Sequence, residues 1–417
     1  GLARIFGDEI IAGTKAGSIE RIEDRVSFSN QIQKMSIRQP PFVYVRNEEE
    51  LEVKLKEIGL PVIMRTSFVI GGRSMDIIYD MATARKRFQE IMINRPGRDV
   101  LVSRYIENSQ EIDVDFISLK DKQIIVGLMV HIEEAGTHSG DATMILSGKN
   151  IEDEVMMQIR EVVKKLSVTF DLLGFSNLQI AVKNNEIYVI ELNSRASRTV
   201  PFISKATGRE WVETAVMAMF DQPVNVEEAD VRGFFIKVPV FPFKKFPEEE
   251  PLLGPEMKST GEMMMAGRTY EEAIAKVANY MGISNIKAAI LTIKDDDKDI
   301  GSEIAGFLAG RGVTLYATPG TSAYLVGKGI SNFTIYRMED AREPRIDTII
   351  KERIPQIVIN TPTMISTDQK NGNEMRKLCI KYGIPLITNA RLAYELLIHG
   401  SGSTAISYRE ISEYQSI

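Results

Sequence analysis

Residues 178–193 read LQIAVKNNEIYVIELN, two runs of alternating apolar and polar residues joined by Asn184-Asn185. Alternation with a period of two predicts a pair of β-strands, and adjacent asparagines predict the turn of a hairpin. Gln179 falls on the first predicted strand, and Glu191 and Asn193 fall on the second. The hairpin is the most informative segment, because its register fixes which of these polar side chains can meet on one face of a sheet.

The two faces of each predicted strand follow from the alternation of side chains. The apolar positions are Leu178, Ile180 and Val182 on the first strand and Tyr188, Ile190 and Leu192 on the second. If these positions share one face, Gln179, Glu191 and Asn193 converge on the other. That pairing requires a loop of odd length, and a three-residue loop with one Asn in the left-handed region would provide it. A two-residue turn at Asn184-Asn185 would put Gln179 on the face opposite Glu191.

One carboxylate and two amides form an oxygen-rich cluster, which suits Mg²⁺ or Mn²⁺ rather than zinc or copper. A single carboxylate leaves charge on a divalent ion, and that charge favours phosphate oxygens as further ligands. From the hairpin alone, a half-solvated strand face with unrelated polar residues is an equal alternative. Arg195 and Arg198, just beyond the second strand, could clamp an anion, although a pair of surface arginines is the commoner case.

Two further segments have the composition of anion-binding loops. Arg65 leads into a glycine loop at Gly71-Gly72, where backbone N–H groups can approach a phosphate closely, although most such glycine pairs are plain turns. Residues 131–141, HIEEAGTHSGD, follow a predicted strand. His138 is flanked there by short hydroxyls and glycine, which favours an anion loop over a metal site. A plain loop is the simplest alternative for this segment.

Composition excludes several classes of protein. The chain has 417 residues, a formal net charge of −6 and 26% charged residues, which is ordinary for a folded protein of two or three domains. A mildly acidic chain is a poor general binder of nucleic acid, and no apolar run reaches the ~18 residues of a membrane span. The single cysteine, Cys379, excludes an intrachain disulfide and fits a reducing compartment. Since the chain does not begin with Met, we expect a fragment or a processed product.

The pattern changes near residue 284, where strands and helices begin to alternate. This alternation predicts a doubly wound parallel sheet. Residues 318–322, TPGTS, and 360–363, NTPT, each follow a predicted strand of this sheet. A glycine turn that opens a helix after a parallel strand is a favourable anion site. The two loops could together hold a phosphorylated small molecule, or they could be ordinary connections that bind nothing.

Five stretches together resemble the large subunit of carbamoyl phosphate synthetase, specifically its C-terminal half. They are RTSFVIGGRSMDIIYD, EIDVDFI, HIEEAGTHSGDA, LQIAVKNNEIYVIELNSRASRTVPFISKATG and LLGPEMKSTGEMM. The stretches GGRSMDIIY, EEAGTHSGD and SRTVPFISKATG are similar to the sequence of the half that phosphorylates carbamate. One departure is Ser194, which stands where the family usually has proline.

The resemblance implies an α+β ATP-grasp domain followed by an α/β methylglyoxal-synthase-like regulatory domain. It implies a leading segment over 1–35, the ATP-grasp domain over 36–283 and the regulatory domain over 284–417. It also implies ATP as a ligand, with two Mg²⁺ or Mn²⁺ ions per site. The metal ligands would be Gln179, Glu191 and Asn193.

Further residue roles are implied by the resemblance alone. The residues implied to lie along ATP are Arg25, Arg65, Gly71, Gly72, Arg104, Ile106, Glu111, Gly136, Thr137, His138, Ser139, Gln179 and Glu191. Arg195 and Arg198 would hold carbamate or the transferring phosphate, with Arg65 as a third catalytic arginine. The positions implied to bind a nucleotide monophosphate effector are Lys298, Thr318, Thr321, Arg337 and Asn360.

The implied activity is the ATP-dependent phosphorylation of carbamate to carbamoyl phosphate, in the cytoplasm, for arginine and pyrimidine biosynthesis. The implied partners are the N-terminal carboxyphosphate half and the glutaminase small subunit, in a hetero-oligomer, without nucleic acid or membrane. Two alternatives remain: a catalytically silent fragment that binds nucleotide for regulation or assembly, and another ATP-grasp ligase that joins a carboxylate to an amine. A natural split-gene product and a truncated chain are equally compatible with the sequence.

Overall fold

The computed structural model describes residues 8–66, 76–94, 99–133, 135–146, 151–362, 366–402 and 407–415. The chain forms two compact units. Unit 1 comprises residues 1–233, 254–257 and 410–417, and unit 2 comprises residues 234–253 and 258–409. The boundary at 283/284 stays a prediction.

Unit 1 begins with two helices and a small sheet with its own two helices. Their bounds are α1 Ala16–Glu23, α2 Arg25–Lys34, β1 Phe42–Val45, α3 Glu48–Ile58, β2 Val62–Thr66, β3 Asp76–Ile78, α4 Met81–Asn94 and β4 Val100–Arg104. The strands lie in the order β1-β4-β2-β3 and are antiparallel. Leu51 and Leu55 of α3 and Phe88 of α4 pack with Met64 and Val102 of the sheet in one buried cluster. The polar residues of α3 and α4 remain outside this core, as expected of amphipathic helices.

The second part of unit 1 contains longer strands and three further helices, with a short helix at the end of the chain. Their bounds are β5 Gln110–Ser118, β6 Gln123–His131, β7 Met144–Leu146, α5 Asp153–Thr169, β8 Gly174–Lys183, β9 Glu186–Asn193, α6 Thr199–Thr207, α7 Trp211–Met219 and, later, α14 Ile411–Gln415. Strands β7, β6, β5, β8 and β9 lie side by side in that order and pair antiparallel. Helix α5 buries Ile159, Val163 and Leu166 in the same cluster as Leu178 and Ile180 of β8.

The β8–β9 hairpin differs from the sequence prediction at its turn. Lys183 pairs with Glu186, so the loop has two residues, and Asn184 and Asn185 have φ angles of 53° and 60°. Two consecutive residues with positive φ are typical of the tight turn that matches strand twist. The expected odd-length loop is therefore wrong. A register shift next to Gln179 corrects the parity, because Ile180 pairs with Val189 whereas Gln179 pairs with Glu191.

Ile190 is the extra residue of this β-bulge, and it changes the apolar face of β9. The core takes Ile187 and Val189 with Leu192. The sequence prediction had placed Tyr188 and Ile190 on that face, which is wrong for both because the alternation is interrupted at the bulge. Beyond the bulge, the alternation of Glu191, Leu192 and Asn193 is as predicted.

Unit 2 contains an antiparallel pair, a long helix and a parallel sheet. Its bounds are β10 Phe234–Val240, β11 Gly261–Gly267, α8 Tyr270–Tyr280, β12 Ala288–Thr292, α9 Lys298–Gly310, β13 Thr314–Ala317, α10 Pro319–Gly327, β14 Phe333–Thr334, α11 Ile346–Lys351, β15 Ile357–Asn360, α12 Ser366–Tyr382, β16 Leu386–Ile387 and α13 Ala390–Tyr394. The parallel strands lie in the order β14-β13-β12-β15-β16. The predicted alternation of strands and helices after residue 284 is confirmed.

Two helices of unit 1 differ from what the sequence indicates. The composition of residues 18–27, SIERIEDRVS, predicts one helix with a Ser cap, but Asp24 has extended backbone angles and its side chain accepts a hydrogen bond from the Ser27 amide. Asp24 is thus the N-cap of α2, and it separates α2 from α1. Helix α6 was not predicted, because Pro201 and the β-branched residues around it lower helix propensity over this short segment.

No helix within the described ranges is long and apolar enough to cross a membrane.

Candidate functional site

Three polar side chains converge at the end of the β8–β9 hairpin. Gln179 pairs directly with Glu191, and Asn177 pairs with Asn193, so these side chains share a face of the sheet. The amide nitrogen of Asn193 donates to Oε1 of Glu191 at 2.9 Å. The convergence of Gln179, Glu191 and Asn193 is therefore present in the fold, although the bulge rather than the loop length produces it.

Arg25 contacts this cluster from helix α2. Its Nη2 donates to Oε2 of Glu191 at 2.5 Å, and both side chains are about three-quarters buried, with exposures of 21% and 24%. Burial alone would raise the pKa of Glu191, but the charge of Arg25, the Asn193 amide and the charge of Arg65 lower that pKa to about 2. Glu191 is therefore an anion over the whole neutral range, as a cation ligand needs to be.

Arg65 on β2 supplies a second positive charge near Glu191. Burial lowers the pKa of Arg65 to about 10, with a further contribution from Arg25, and Glu191 opposes the shift. The buried Nε of Arg65 has no hydrogen-bond partner among the described residues. An unsatisfied buried donor beside an arginine-rich cluster is consistent with an anionic ligand at this position.

Strand β5 adds a row of carboxylates that the sequence reasoning did not assign as a group. Glu111, Asp113 and Asp115 alternate along the strand and so share one face. His131 on β6 lies 3.5 Å from Glu111 and 3.6 Å from Asp113. Burial alone would lower the pKa of His131, but Asp113, Glu111 and Glu133 outweigh it and raise the pKa. The period-two spacing in EIDVD was the available signal for this row.

The loop after β6 contains the predicted nucleotide contacts. The amide of Gly136 donates to Oε1 of Glu111 at 3.2 Å, so the loop is tied to the β5 carboxylate row. Gly136 has a φ of +98°, a backbone conformation that favours glycine, and a Cβ there would lie 2.8 Å from the terminal methyl of Ile77. Thr137 and Ser139 flank His138 and are half-buried.

His138 is fixed by backbone hydrogen bonds. Its amide donates to the Gly254 carbonyl at 2.8 Å, and its Nδ1 accepts from the Gly140 amide at 3.0 Å. Burial lowers the pKa of His138, an effect that Asp141 opposes and Arg198 reinforces. At neutral pH the imidazole is therefore neutral, with Nδ1 as an acceptor and Nε2 as the available donor.

Of the predicted adenine contacts, Arg104 is the last residue of strand β4, and Ile106 lies two residues beyond it. The Arg104 guanidinium donates to the Leu60 carbonyl, and the Ile106 carbonyl accepts from the Ser109 hydroxyl at 2.6 Å. Both positions border the segment between the two parts of unit 1. Gly71 and Gly72, the predicted phosphate loop, lie outside the described residues.

Arg195 and Arg198 follow β9, and both are exposed. The Arg195 guanidinium donates to the carbonyl of Ala196, and the Arg198 guanidinium contacts the thioether of Met257. Arg198 is the residue immediately before helix α6. Neither arginine has a carboxylate partner among the contacts described here, so both guanidinium groups are available to an anion.

The donor set of the hairpin cluster fits a hard cation. The available atoms are the carboxylate oxygens of Glu191 and the amide oxygens of Gln179 and Asn193, and oxygen ligands of this kind suit Mg²⁺. Within the described part of the chain, no three His, Cys, Asp or Glu side chains cluster as a metal site. A divalent ion here would therefore depend on two amides and on phosphate oxygens to complete its ligands.

Unit 2 contains a separate cavity of about 980 Å³ at the carboxyl ends of β12, β13 and β15. All five predicted effector positions line it: Lys298, Thr318, Thr321, Arg337 and Asn360. Thr318 precedes α10, and the Thr321 hydroxyl accepts from the Ile293 amide at 3.0 Å. Thr363, also named in the sequence analysis, lies outside the described residues.

Several charged residues in the wall of this cavity were missed by the sequence reasoning. Lys294, Arg342 and Arg376 add positive charge, whereas Glu250, Asp295 and Asp340 add negative charge. They come from four separate stretches of the sequence, at 250, 294–295, 340–342 and 376, so no single local motif could identify them together. With Lys298 and Arg337, the cavity wall has five cationic side chains against three carboxylates. The balance favours an anionic ligand.

Arg376 is the most buried of these cations, with 3% exposure. Its Nε and Nη2 donate to the two oxygens of Glu250 at 2.7 and 3.0 Å, and its Nη1 donates to Oδ1 of Asn360 at 2.6 Å. Because the amide oxygen of Asn360 is engaged, its NH₂ group is the part that a ligand in the cavity can meet.

Comparison with known families gives two matches along the chain. Residues 24–223 match the carbamoyl-phosphate synthase L chain, ATP binding domain, and residues 302–388 match the MGS-like domain. The carbamoyl phosphate synthase large chain of Thermoplasma volcanium is 47% identical over 415 residues, which cover 99% of this chain and 39% of that protein. The carbamoyl phosphate synthase large chain, C-terminal section, of Aquifex aeolicus is 35% identical and covers 93% of this chain, which spans 76% of that protein.

Solved structures with low sequence identity share the fold over about two thirds of this chain. The biotin carboxylase domain of the Hydrogenobacter thermophilus 2-oxoglutarate carboxylase, solved with MgADP, ADP and bicarbonate, superposes with a TM-score of 0.54 at 17% identity, over 67% of this chain and 70% of that one. The biotin carboxylase–β,γ-ATP complex from Campylobacter jejuni gives a TM-score of 0.55 at 16% identity, with the same coverage. The predicted fold class, an ATP-grasp domain with an MGS-like α/β domain, is confirmed.

Proposed function

This chain belongs to the carbamoyl phosphate synthase large-chain family, and from that premise we propose that it phosphorylates carbamate with ATP to give carbamoyl phosphate and ADP. The chain spans only 39% of the length of the Thermoplasma large chain. The activity of the whole synthetase is accordingly part of the proposal. The observation that carries it is the convergence of Gln179, Glu191 and Asn193 with Arg25 on one side of the hairpin.

The proposed reaction is a phosphoryl transfer. A carbamate oxygen forms a bond to the γ-phosphorus of ATP, the bond from that phosphorus to the β–γ bridging oxygen breaks, and ADP leaves. Because carbamate is already an anion, little acid–base chemistry is needed, and catalysis consists of positioning and charge neutralisation. Arg65 would meet the phosphate groups, and Arg195 and Arg198 would hold carbamate and the transferring phosphoryl group.

Gln179, Glu191 and Asn193 would hold Mg²⁺ or Mn²⁺, with two ions per site as the proposed number. A bound ion of this kind would neutralise developing charge on the phosphate oxygens. The low pKa of Glu191 supports this role, because the carboxylate needs no deprotonation to act as a ligand. Arg25 would hold the carboxylate in a fixed orientation through the 2.5 Å contact.

The remaining ATP contacts are proposed from the loops described above. Glu111 would meet the ribose, and Arg104 and Ile106 would lie near adenine. Gly136 to Ser139 would lie along the nucleotide, with His138 neutral. The Gly71-Gly72 loop would lie near the phosphates.

The decisive experiment is the partial reaction in which carbamoyl phosphate and ADP give ATP. We expect the purified chain to form ATP in the presence of Mg²⁺, measured by coupled luminescence. Glu191→Gln should lower the rate by at least about 100-fold, because it removes a charged group from the transition-state environment. Circular dichroism should show that the variant is folded.

A matched control is available on the same strand. Glu186→Gln changes a half-buried carboxylate that pairs with Arg38 at 2.8 Å, and its ATP formation should equal that of the wild type. Wild-type turnover in Glu191→Gln would contradict the metal assignment. No ATP formation by the wild-type chain would favour the alternative of a nucleotide-binding fragment without activity.

We also propose that the cavity of unit 2 binds a nucleoside monophosphate as an effector. The five cations in its wall and the NH₂ group of Asn360 support a ligand with phosphate and carbonyl oxygens. Lys298 and Thr318 would lie near its phosphate, since Thr318 opens helix α10.

The partners and location are proposed from family membership. The N-terminal carboxyphosphate half and the glutaminase small subunit would supply carbamate within a hetero-oligomer in the cytoplasm. The existence of a separate C-terminal section in Aquifex aeolicus supports a synthetase made of several parts. Another ATP-grasp ligase, the second alternative, is not favoured by these relatives.

A further inference from the structure

We propose that Asp115 is a positioning residue that holds Arg198 in place for phosphoryl transfer, acting through the hydroxyl groups of Ser197 and Thr199. The inference rests on the function proposed above, because that proposal gives Arg198 the transferring phosphoryl group as its partner. It adds a residue that touches neither nucleotide nor carbamate.

A short chain of hydrogen bonds connects Asp115, on strand β5, with residues 195–198, the arginine loop that follows β9. Oδ2 of Asp115 accepts a hydrogen bond from the Thr199 hydroxyl at 2.5 Å, and Oδ1 accepts from the side-chain amide of Asn177 at 3.1 Å. The hydroxyls of Ser197 and Thr199 lie 2.6 Å apart, and the Thr199 amide donates to Oγ of Ser197 at 3.2 Å. Both residues that flank Arg198 are thus tied to one buried carboxylate.

The position of Asp115 in the sheet makes it a fixed point. It is fully buried, with 0% exposure, and Asn177 is its direct partner on β8. Asn177 pairs in turn with Asn193, so the carboxylate is part of the same row as the hairpin cluster. The position of the arginine loop is therefore fixed relative to β8 and β9, the strands that would hold the metal.

Neutral hydrogen-bond donors stabilise the ionised form of Asp115. Burial raises its pKa to about 6, although the hydrogen bonds from Ser197, Thr199 and Asn177 oppose this shift. A buried carboxylate is costly unless its hydrogen bonds are satisfied. Two of these three donors, Ser197 and Thr199, flank Arg198, so the cost of burying Asp115 is linked to the conformation around Arg198.

Helix α6, which starts at Thr199, is held close to the sheet at a second point. A Cβ on Gly127 of β6 would lie 2.7 Å from the side chain of Ile203, so the absence of a side chain there is required for the approach. The start of α6 is thus fixed by Asp115, and its middle packs directly against Gly127. Because the helix is held at both points, the backbone of Arg198 has little freedom to move. The guanidinium remains on the exposed side.

The test compares Thr199→Val, which has the same shape without the hydroxyl, with Thr199→Ser, which retains it. In the ATP-forming partial reaction, Thr199→Val should lower the rate at saturating substrates by at least about 10-fold and raise the KM for carbamoyl phosphate, with the KM for ADP unchanged. Thr199→Ser should restore the rate to near wild type. Asp115→Asn should change the rate in the same direction as Thr199→Val.

Thr207→Val is the matched control at the other end of α6. The Thr207 hydroxyl donates to the Ile203 carbonyl at 2.7 Å and accepts from the Trp211 indole at 3.0 Å, so its loss weakens the helix without touching the loop. It should leave the partial reaction unchanged. An equal loss of rate in Thr199→Val and Thr207→Val would overturn the inference, as would a wild-type rate in Thr199→Val.

A second readout does not depend on activity. Trypsin cleaves after arginine, and the rate of cleavage after Arg198, followed by mass spectrometry, reports on the loop. Thr199→Val and Asp115→Asn should be cut faster at this bond than the wild type, Thr199→Ser and Thr207→Val. If the wild type forms no ATP, the proposed function fails, but the cleavage assay still tests the positioning role of Asp115. Equal cleavage rates in all these variants would overturn that role.

Discussion

At the scale of single residues, Glu191 and its arginines show how charge is arranged before any ligand binds. The carboxylate is three-quarters buried, and its nearest cation, Arg25, comes from a helix more than 160 positions earlier in the chain. Arg25 and Arg65 would repel each other without Glu191 between them. The carboxylate therefore contributes to the stability of unit 1 as well as to the proposed metal site.

This arrangement predicts a specific pH dependence. The folded-state pKa of Glu191, about 2, lies below the ordinary value of 4.5, so its contribution is complete above pH 4.5 and is lost as the pH falls toward 2. The pH-dependent part of the contribution of Glu191 to the free energy of unfolding amounts to about 3 kcal/mol. We expect Glu191→Gln to lower the free energy of unfolding of unit 1 most at neutral pH, with the difference from wild type shrinking below pH 4.5.

The measurement is urea unfolding followed by the fluorescence of Trp211. It is the single tryptophan of the chain, is fully buried and belongs to unit 1. Glu186→Gln should follow the wild type throughout, because surface ion pairs contribute little. A difference between wild type and Glu191→Gln that is the same at pH 7 and pH 3 would contradict the ionised, arginine-paired state.

Arg376 leads to a second prediction at this scale. Arg376→Lys keeps the charge but loses the planar set of donors that engages both Glu250 and Asn360. The Asn360 amide would then be free to turn, and we expect the affinity for a nucleoside monophosphate, measured by calorimetry, to fall by about 10-fold or more. Arg311→Lys, an exposed change outside the cavity, should bind as the wild type does. Equal affinity in Arg376→Lys would contradict the proposed orientation of Asn360.

Single residues also mark the limit of what the sequence could predict. Gln179, Glu191 and Asn193 could be grouped because strand alternation is a local rule. Arg376 and Glu250 are 126 positions apart, and their ion pair depends on tertiary packing that no local pattern encodes. Asp115 had a local signal, the alternating acids of EIDVD, but its partner Thr199 starts a helix that the sequence did not predict.

At the scale of elements, the β8–β9 hairpin shows why parity alone could not fix the register. A two-residue turn and a regular ladder would pair Gln179 with Ile190. The bulge inserts one residue and restores the pairing of Gln179 with Glu191. Bulges are common next to functional sites because they redirect side chains, and their position depends on packing across the sheet rather than on turn chemistry. The convergence could be predicted, but the device that achieves it could not.

Two single-residue deletions on β9 test this account. Removing Ile190 should convert the bulge to a regular ladder and leave Glu191 opposite Gln179, with Leu192 still facing the core. Removing Leu192 should turn Asn193 toward the buried face, where Leu178 and Ile180 lie. We expect the Ile190 deletion to keep Mg²⁺-dependent ADP binding within about 10-fold of wild type and the Leu192 deletion to abolish it.

The two deletions are matched, since both remove one aliphatic residue from the same strand. Trp211 fluorescence shows whether each variant keeps the fold of unit 1. If the Ile190 deletion loses ADP binding as fully as the Leu192 deletion, the bulge itself is needed to orient Gln179 and Glu191. Placing these side chains on one face of the sheet would then not be sufficient for binding.

At the scale of the whole molecule, the parallel sheet of unit 2 could be predicted from the alternation of strands and helices, whereas the ATP-grasp domain was implied only by the family resemblance. Unit 2 alternates strands and helices from residue 284 onward, and the observed sheet is parallel throughout. The β10 and β11 segments were harder, since Pro239 and the methionines of 263–265 obscure strand alternation. Their pairing links segments separated by a 20-residue connection, which periodicity does not reveal.

The length of the chain leads to the last prediction. Relatives from Thermoplasma are more than twice as long, and this chain covers 39% of them. Under the proposed function, this chain acts on carbamate that another part of the synthetase must make. We expect the chain alone to incorporate no labelled bicarbonate into carbamoyl phosphate with glutamine as the nitrogen donor, while it forms ATP from carbamoyl phosphate and ADP.

Addition of the N-terminal part of a large chain and its glutaminase subunit should restore incorporation from glutamine. With Glu191→Gln in place of the wild-type chain, the reconstituted mixture should still hydrolyse glutamine but form no carbamoyl phosphate, since only the second phosphorylation is blocked. Glutamine-dependent synthesis by the isolated chain would contradict this division of labour. It would mean that the residues around Glu191 serve both phosphorylation steps, whereas the proposed function gives them only the second.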